Sequence, residues 1–179
     1  MQGIAEKLFR SDKHSFSKFA EQQLTLIAGI GVDGDAHSGE FVQHRSRVLE
    51  NPLQANLRQV HLMPMELLEE VAEKGFKVAP GALGENITTR GLDLISLPRN
   101  TILEIGAVML RVEGLRNPCK QIEEFQTGLL PHMFGKDEAG KTNRKTGIMA
   151  TVMVGGQIMA GDAIKVHMPA REQYPLEVV

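Results

Sequence analysis

Cys119 is the only cysteine among 179 residues, and it follows Pro118 in the run Leu-Arg-Asn-Pro-Cys-Lys from Leu115 to Lys120. Its thiolate is both a nucleophile and a soft metal ligand. Proline is favoured at the first position of a helix, and Ile122, Phe125 and Gly128 follow as two apolar positions three apart and a stop. This spacing predicts a short helix beginning at the cysteine. A thiol there would face unpaired backbone N–H groups, with Arg116 and Lys120 adding positive charge, and each of these favours the thiolate. An inert buried cysteine is the alternative. A second concentration of chemistry is the run GVDGDAHSGE, where Asp35 precedes His37 by two residues among Gly31, Gly34 and Gly39. A carboxylate so placed can orient an imidazole or act beside it as an acid–base pair; it can equally cap a glycine-rich turn. In GALGENITT, Glu85 and Asn86 come just before a strand-like run. There they can hold a polar ligand or satisfy turn amides.

Two cationic groups, His44 with Arg45 and Arg47, and Lys141 with Arg144 and Lys145, can bind a phosphate-bearing small molecule or simply form solvated faces. Neither belongs to a nucleotide loop: the chain has no GxxxxGK[ST], and no GxGxxG opening a helix after a strand. One cysteine excludes an internal disulfide and any zinc site of several thiolates. A net charge of -2 argues against a nucleic-acid backbone as partner. No apolar run approaches the roughly 18 residues of a membrane span, and MQGIAEKLFRSDKHSF shows no signal-peptide pattern. The expectation is a cytoplasmic protein without membrane or nucleic-acid partners.

The elements that must position these residues are mostly short strands. GIAEKLFR, Leu24 to Ile30, Arg58 to Leu62, and the two halves of TILEIGAVMLRVEG broken at Gly106 all read as extended. GIMATVMVGGQIMAGDAIKV reads as three strands with turns at Gly155-Gly156 and Gly161-Asp162. Met65, Leu68, Val71 and Ala72 in MPMELLEEVAEKG recur at helical spacing between Pro64 and Gly75, the clearest helix in the sequence. GIGVDGDAHSGE and the charged stretch from Pro131 to Thr146 read as loops. The sum is one mainly β domain over residues 1–179 with a few short helices, most simply a closed or nearly closed β-barrel. Its core spans about 4–168, with 169–179 as a peripheral tail.

Four segments in order, GVDGDAHSG, GALGENIT, LRNPCKQI and GIMATVMVGGQIMAGDAIKV, resemble the MOSC domain, named for the C-terminal domain of molybdenum cofactor sulfurase. The likeness runs from about Ile4 to Met168. It implies a β-barrel of the pyruvate-kinase-barrel type in which Cys119 matches the family cysteine, expected to ligate molybdenum or to carry sulfur. It further implies a pyranopterin molybdenum cofactor, with Arg116, Asn117, Lys120, Arg144 and Lys145 as cofactor- or phosphate-binding groups. Asp35, Glu85 and Asn86 would hydrogen-bond the pterin or assist proton delivery, with His37 beside Asp35. The implied activity is reduction of N-hydroxylated compounds as small-molecule substrates, with electrons from an external reductase. The alternative is a carrier of the cofactor or of persulfide sulfur supplied by a cysteine desulfurase. The chain lacks the desulfurase domain of larger relatives, so pyridoxal phosphate (PLP) is not expected to bind here.

Overall fold

The computed structural model describes residues 2–43, 48–49, 51–136, 140–170 and 173–179. The cationic group at His44, Arg45 and Arg47 lies outside them. The strands are β1 (Gln2–Arg10), β2 (Phe19–Glu21), β3 (Gln23–Ile27), β4 (Gly31–Val32), β5 (Val60–Pro64), β6 (Ile87–Arg90) and β7 (Ile102–Ile105). They continue as β8 (Val108–Leu115), β9 (Phe134–Lys136), β10 (Thr142–Arg144), β11 (Ile148–Val154), β12 (Gly156–Met159) and β13 (Ala163–His167). The helices are α1 (Met65–Glu73) and α2 (Gln121–Phe125), with 3-10 turns at Leu94–Ser96, between β6 and β7, and at Leu130–Met133, after α2.

Seven strands run β13-β7-β8-β11-β5-β6-β1, and β1 pairs back onto β13 to close a barrel. An odd ring cannot close through antiparallel neighbours alone, because each such pair reverses direction. Here β5 and β6 are parallel, and that single pair restores parity. A parallel pair needs a crossover, which α1 and the turns after it supply. β2 extends the edge of β1, while β12, β3 and β4 form a small separate sheet.

Alternation along the strands separates two cores. Leu8, Val60, Leu62, Ile87, Leu110, Val112, Ile148 and Ala150 face the barrel interior. Met63, on the opposite face of β5, packs outside the barrel with Met65, Leu67, Leu68 and Val71 of α1 and with Leu83, Ile122, Leu129 and Met133. Fully burying such a side chain contributes roughly 1.5–3 kcal/mol. The outer core therefore fastens α1 and α2 to the wall and fixes the chain on either side of them. Gly75, with φ +88°, ends α1 as the sequence predicts.

Three local expectations are corrected. Cys119 is not helical: α2 begins at Gln121, and Pro118 and Cys119 precede it in non-regular chain. Ile122 is the cause, because its burial in the outer core sets where the five-residue helix starts. Gly31–Val32 is a strand rather than loop, its register set by Leu26↔Val32. The stretch from Pro131 to Thr146 is not simply exposed. It holds the β9–β10 hairpin, and Met133 and Thr146 within it are fully buried. The tail returns to the barrel: Leu115 N donates to Glu177 O at 2.7 Å, Val179 N donates to Leu115 O at 3.4 Å, and Arg99 N donates to Tyr174 O at 2.9 Å.

Candidate functional site

Because Val60 and Leu62 point inward, His61 between them points out. Its register partner Met149 does the same on β11. Both line a cavity of about 550 Å³ against the outer wall of the barrel. The chain leaving β8 runs over this wall as Arg116, Asn117 and Cys119, held by Arg116 N donating to Gly147 O at 3.0 Å and by the seat of Ile122. His14, Phe16, Lys18, His37, Asn86 and Val178 complete much of the lining.

The structure thus brings together His37, Asn86, Arg116, Asn117 and Cys119 of the residues singled out in the sequence. Arg144 stands behind them and donates from Nε to Asn117 Oδ1 at 2.8 Å. Lys120 projects into solvent, its side chain 85% exposed and 3.5 Å from Glu124. Lys145 pairs with Glu70 of α1 and is not part of the lining. Asp35 and Glu85 lie buried behind the wall.

Asp35 is the hub of that buried layer. Its Oδ1 accepts from His37 N at 2.9 Å and contacts His37 Nδ1 at 3.2 Å. Its Oδ2 accepts from Lys18 Nζ at 2.7 Å, Asn86 Nδ2 at 3.0 Å and Ser11 N at 3.4 Å. Burial pushes the carboxyl up, but the bonds from His37 and the Lys18 ammonium outweigh it and hold Asp35 well below the usual carboxylate range. Asp35 is therefore an ionised anchor that orients His37. Asn86 also donates to Phe9 O and accepts from His61 N, so its polar atoms tie β1, β5 and the glycine-rich loop together.

Burial lowers the Lys18 pKa, opposed by Asp35, and lowers that of Arg116, opposed by Cys119 and Glu85. Burial raises the Glu85 carboxyl, opposed by the N–H of Gly81 and the hydroxyl of Thr88, and favours its neutral form. Asp35 is matched by Lys18, and the Arg116 guanidinium has the buried Glu85 carboxyl and the Cys119 thiol as its electrostatic partners. The lining itself carries Lys18, Arg58 and Arg116 and, among the described residues, no carboxylate, so the cavity is electropositive. Arg116 Nη1 is buried without a hydrogen-bond partner. The guanidinium lies against the Cys119 thiol, whose Sγ donates to Gln121 Oε1 at 3.5 Å. Among the described residues no cluster of three or more His, Cys, Asp or Glu is placed to hold a metal. A metal here would have to bring most of its ligands with it, leaving Cys119 one position.

Sequence reasoning did not single out Lys18, His61 or Arg58. Lys18 ends a polar run that reads as loop, and nothing local marks its burial. His61 did leave a signal: it is the one polar residue in the apolar strand Val60–Pro64.

A sequence model of the MOSC domain matches residues 35–165, a span that holds Asp35, Asn86, Arg116 and Cys119. The chain belongs to the MOSC domain family. Among solved structures, this MOSC domain superposes on the YuaD protein of Bacillus subtilis with a TM-score of 0.77 at 27% identity, covering 94% of this chain and 97% of that one. It is similar in fold to YiiM from Escherichia coli (TM-score 0.62, 20% identity, 97% of this chain and 73% of that one). The likeness extends to YiiM from Geobacillus stearothermophilus (TM-score 0.67, 18% identity, 98% and 80%). A comparison with curated proteins gives no match. No helix among the described residues is long and apolar enough to cross a membrane.

Proposed function

We propose that this MOSC domain binds a molybdenum-bearing pyranopterin in the cavity beside Cys119 and reduces N-hydroxylated compounds with electrons from a separate reductase in the cytoplasm. The observation that carries the reading is the thiol on the cavity wall with a buried, incompletely partnered guanidinium against it. These residues fit the group: Cys119 offers the soft donor, while Arg116 and Lys18 offer positive charge to its anionic parts. Asn117, steadied by Arg144, adds a neutral contact.

When bound, the cofactor would supply a centre able to take an oxygen atom and two electrons. In the net reaction a hydroxylamine gains two electrons and two protons, its N–O bond breaks, and an amine and water leave. Ionised Asp35 holds His37 with the proton on Nδ1, so Nε2 of a ring that lines the cavity is the atom at which a proton would be held or moved. The wall of Phe16, Leu83 and Met149 excludes water from one side.

The test is metal and pterin analysis of protein made in a host that synthesises the cofactor, for the wild type and Cys119→Ala, followed by a reductase-coupled assay. Molybdenum and pterin in the wild type, lost in Cys119→Ala, with turnover of an N-hydroxylated base, is the expected result. Equal and negligible metal in both sinks the reading. Retention without turnover, or a gain of one sulfur on Cys119 after incubation with a cysteine desulfurase, favours the carrier. The partial exposure of the thiol supports that second reading.

A further inference from the structure

The cavity has an acceptor as well as donors, and the two are built on one residue. His61 Nε2 lies 2.8 Å from the carbonyl of Thr146, so that nitrogen carries the proton. Thr146 is fully buried, and its hydroxyl donates to the carbonyl of Arg116 at 3.0 Å. The imidazole and the backbone of Arg116 are thus both fixed by Thr146, one through its carbonyl and the other through its hydroxyl. The His61 ring is 5% exposed and lines the cavity, and its Nδ1 has no hydrogen-bond partner among the described residues. Burial and the neighbouring Arg116 charge disfavour a second proton on the ring, leaving Nδ1 as a lone-pair acceptor. The unpartnered donors near it are Arg116 Nη1 and the remaining N–H groups of Lys18 beyond its contact with Asp35. The buried Glu85 carboxyl, which has an unpartnered oxygen, sits against Arg116 behind the lining, and His37 Nε2 is a second acceptor on the wall.

We propose that this floor is a subsite for a small oxyanion that carries its own proton, such as hydrogen phosphate. Arg116 and Lys18 bind the negative oxygens and His61 Nδ1 accepts from the hydroxyl. An anion without a proton meets the lone pair of His61 with its own lone pairs, and both remain desolvated and unpaired. The inference rests on the cavity being the ligand site and requires no metal, so its failure leaves the molybdenum reading standing.

The test titrates the full chain at pH 7 with phosphate and, separately, with sulfate, which has the same shape and no proton. Wild type binds phosphate about tenfold or more tightly than sulfate, as expected where a buried acceptor is left unmatched. His61→Gln keeps an amide N–H for the Thr146 carbonyl but moves the acceptor, now the amide oxygen, away from the Nδ1 position, and its phosphate-to-sulfate ratio falls toward one. A purely structural histidine would be rescued by this variant with the ratio intact. Arg116→Gln weakens both anions together. If His61→Gln does not fold, nitrogen chemical shifts of the wild-type His61 ring decide the matter, with Nδ1 moving on addition of phosphate and not of sulfate. Equal affinity for the two anions, no binding of either, or an unchanged ratio in His61→Gln overturns the proposal.

Discussion

Lys18 and Asp35 are a buried ion pair, with side chains 3% and 1% exposed, and the pair matters through what it fixes. Asp35 aligns His37 and Asn86, and Asn86 in turn accepts from His61 N of β5 and donates to Phe9 O of β1. Lys18→Met strands the carboxylate, and urea denaturation is expected to show a loss of about 3–5 kcal/mol. Replacing both partners with apolar residues removes the desolvation penalty of the pair but leaves the donors of Ser11, His37 and Asn86 without the carboxylate, so it recovers only part of that loss. The pH dependence follows from the same residues. Asp35 titrates lower in the folded chain than its ordinary 3.8, so the unfolded chain takes up the proton first. Its stabilisation is complete above about pH 4 and is lost as the pH falls further. His61 is held well below its ordinary 6.5, so acid costs stability from there downward by the same logic. Melting temperatures measured from pH 7 to pH 3 therefore fall in two stages. Asp35→Asn reduces the lower stage, to which Glu69, Glu70 and Glu104, also held low by their cationic partners, contribute the remainder, and leaves the upper one.

At the scale of elements, the thiol is positioned by a helix too short to stand alone, since five residues make little more than one turn. Its stability comes from Ile122, fully buried between α1, Leu129 and Met133. Ile122→Ala is expected to cost about 2–5 kcal/mol and to raise the rate at which a thiol reagent modifies Cys119. An unchanged modification rate would mean that Pro118 and the β8 end hold the segment without α2. The tail depends on a glycine instead. A Cβ at position 114 would run into Glu177 O and the Val179 side chain. Gly114→Ala is therefore expected to lift residues 173–179, exposing Leu115 and Val179 amides to hydrogen exchange and removing Val178 from the cavity wall. These dependences explain what could be read beforehand. α1 was legible because its apolar spacing, its proline and its glycine agree. The helix at Cys119 was misplaced because local signals favoured a start at Pro118, while burial of Ile122, a long-range matter, decided it.

For the whole molecule, closure is the decisive event. Three residue pairs, from Gln2↔Lys165 to Ile4↔Ala163, join the last strand to the first, with Ile164 fully buried behind them. Ile164→Asp places a charge in the barrel interior and opens two strand edges. Its expected outcome is insoluble or unfolded protein, checked by yield and circular dichroism. The sequence by itself determined the mainly β barrel, the helix after Pro64, the hairpin at Gly106, the strand ends at Gly155 and Gly161, and the association of Asp35, Asn86, Arg116 and Cys119 with one family. All of these are written in local spacing or in motifs. The strands at Gly155 and Gly161 do not pair as hairpins, because β12 leaves the barrel to pair with β3. Only the tertiary structure decided that Lys120 and Lys145 point elsewhere, that Asp35 is consumed as an anchor, and that Lys18 and His61 enter the site. Those outcomes depend on which face of a strand meets which loop far away in the chain, and on burial, which sets the charge of a group and has no local signature.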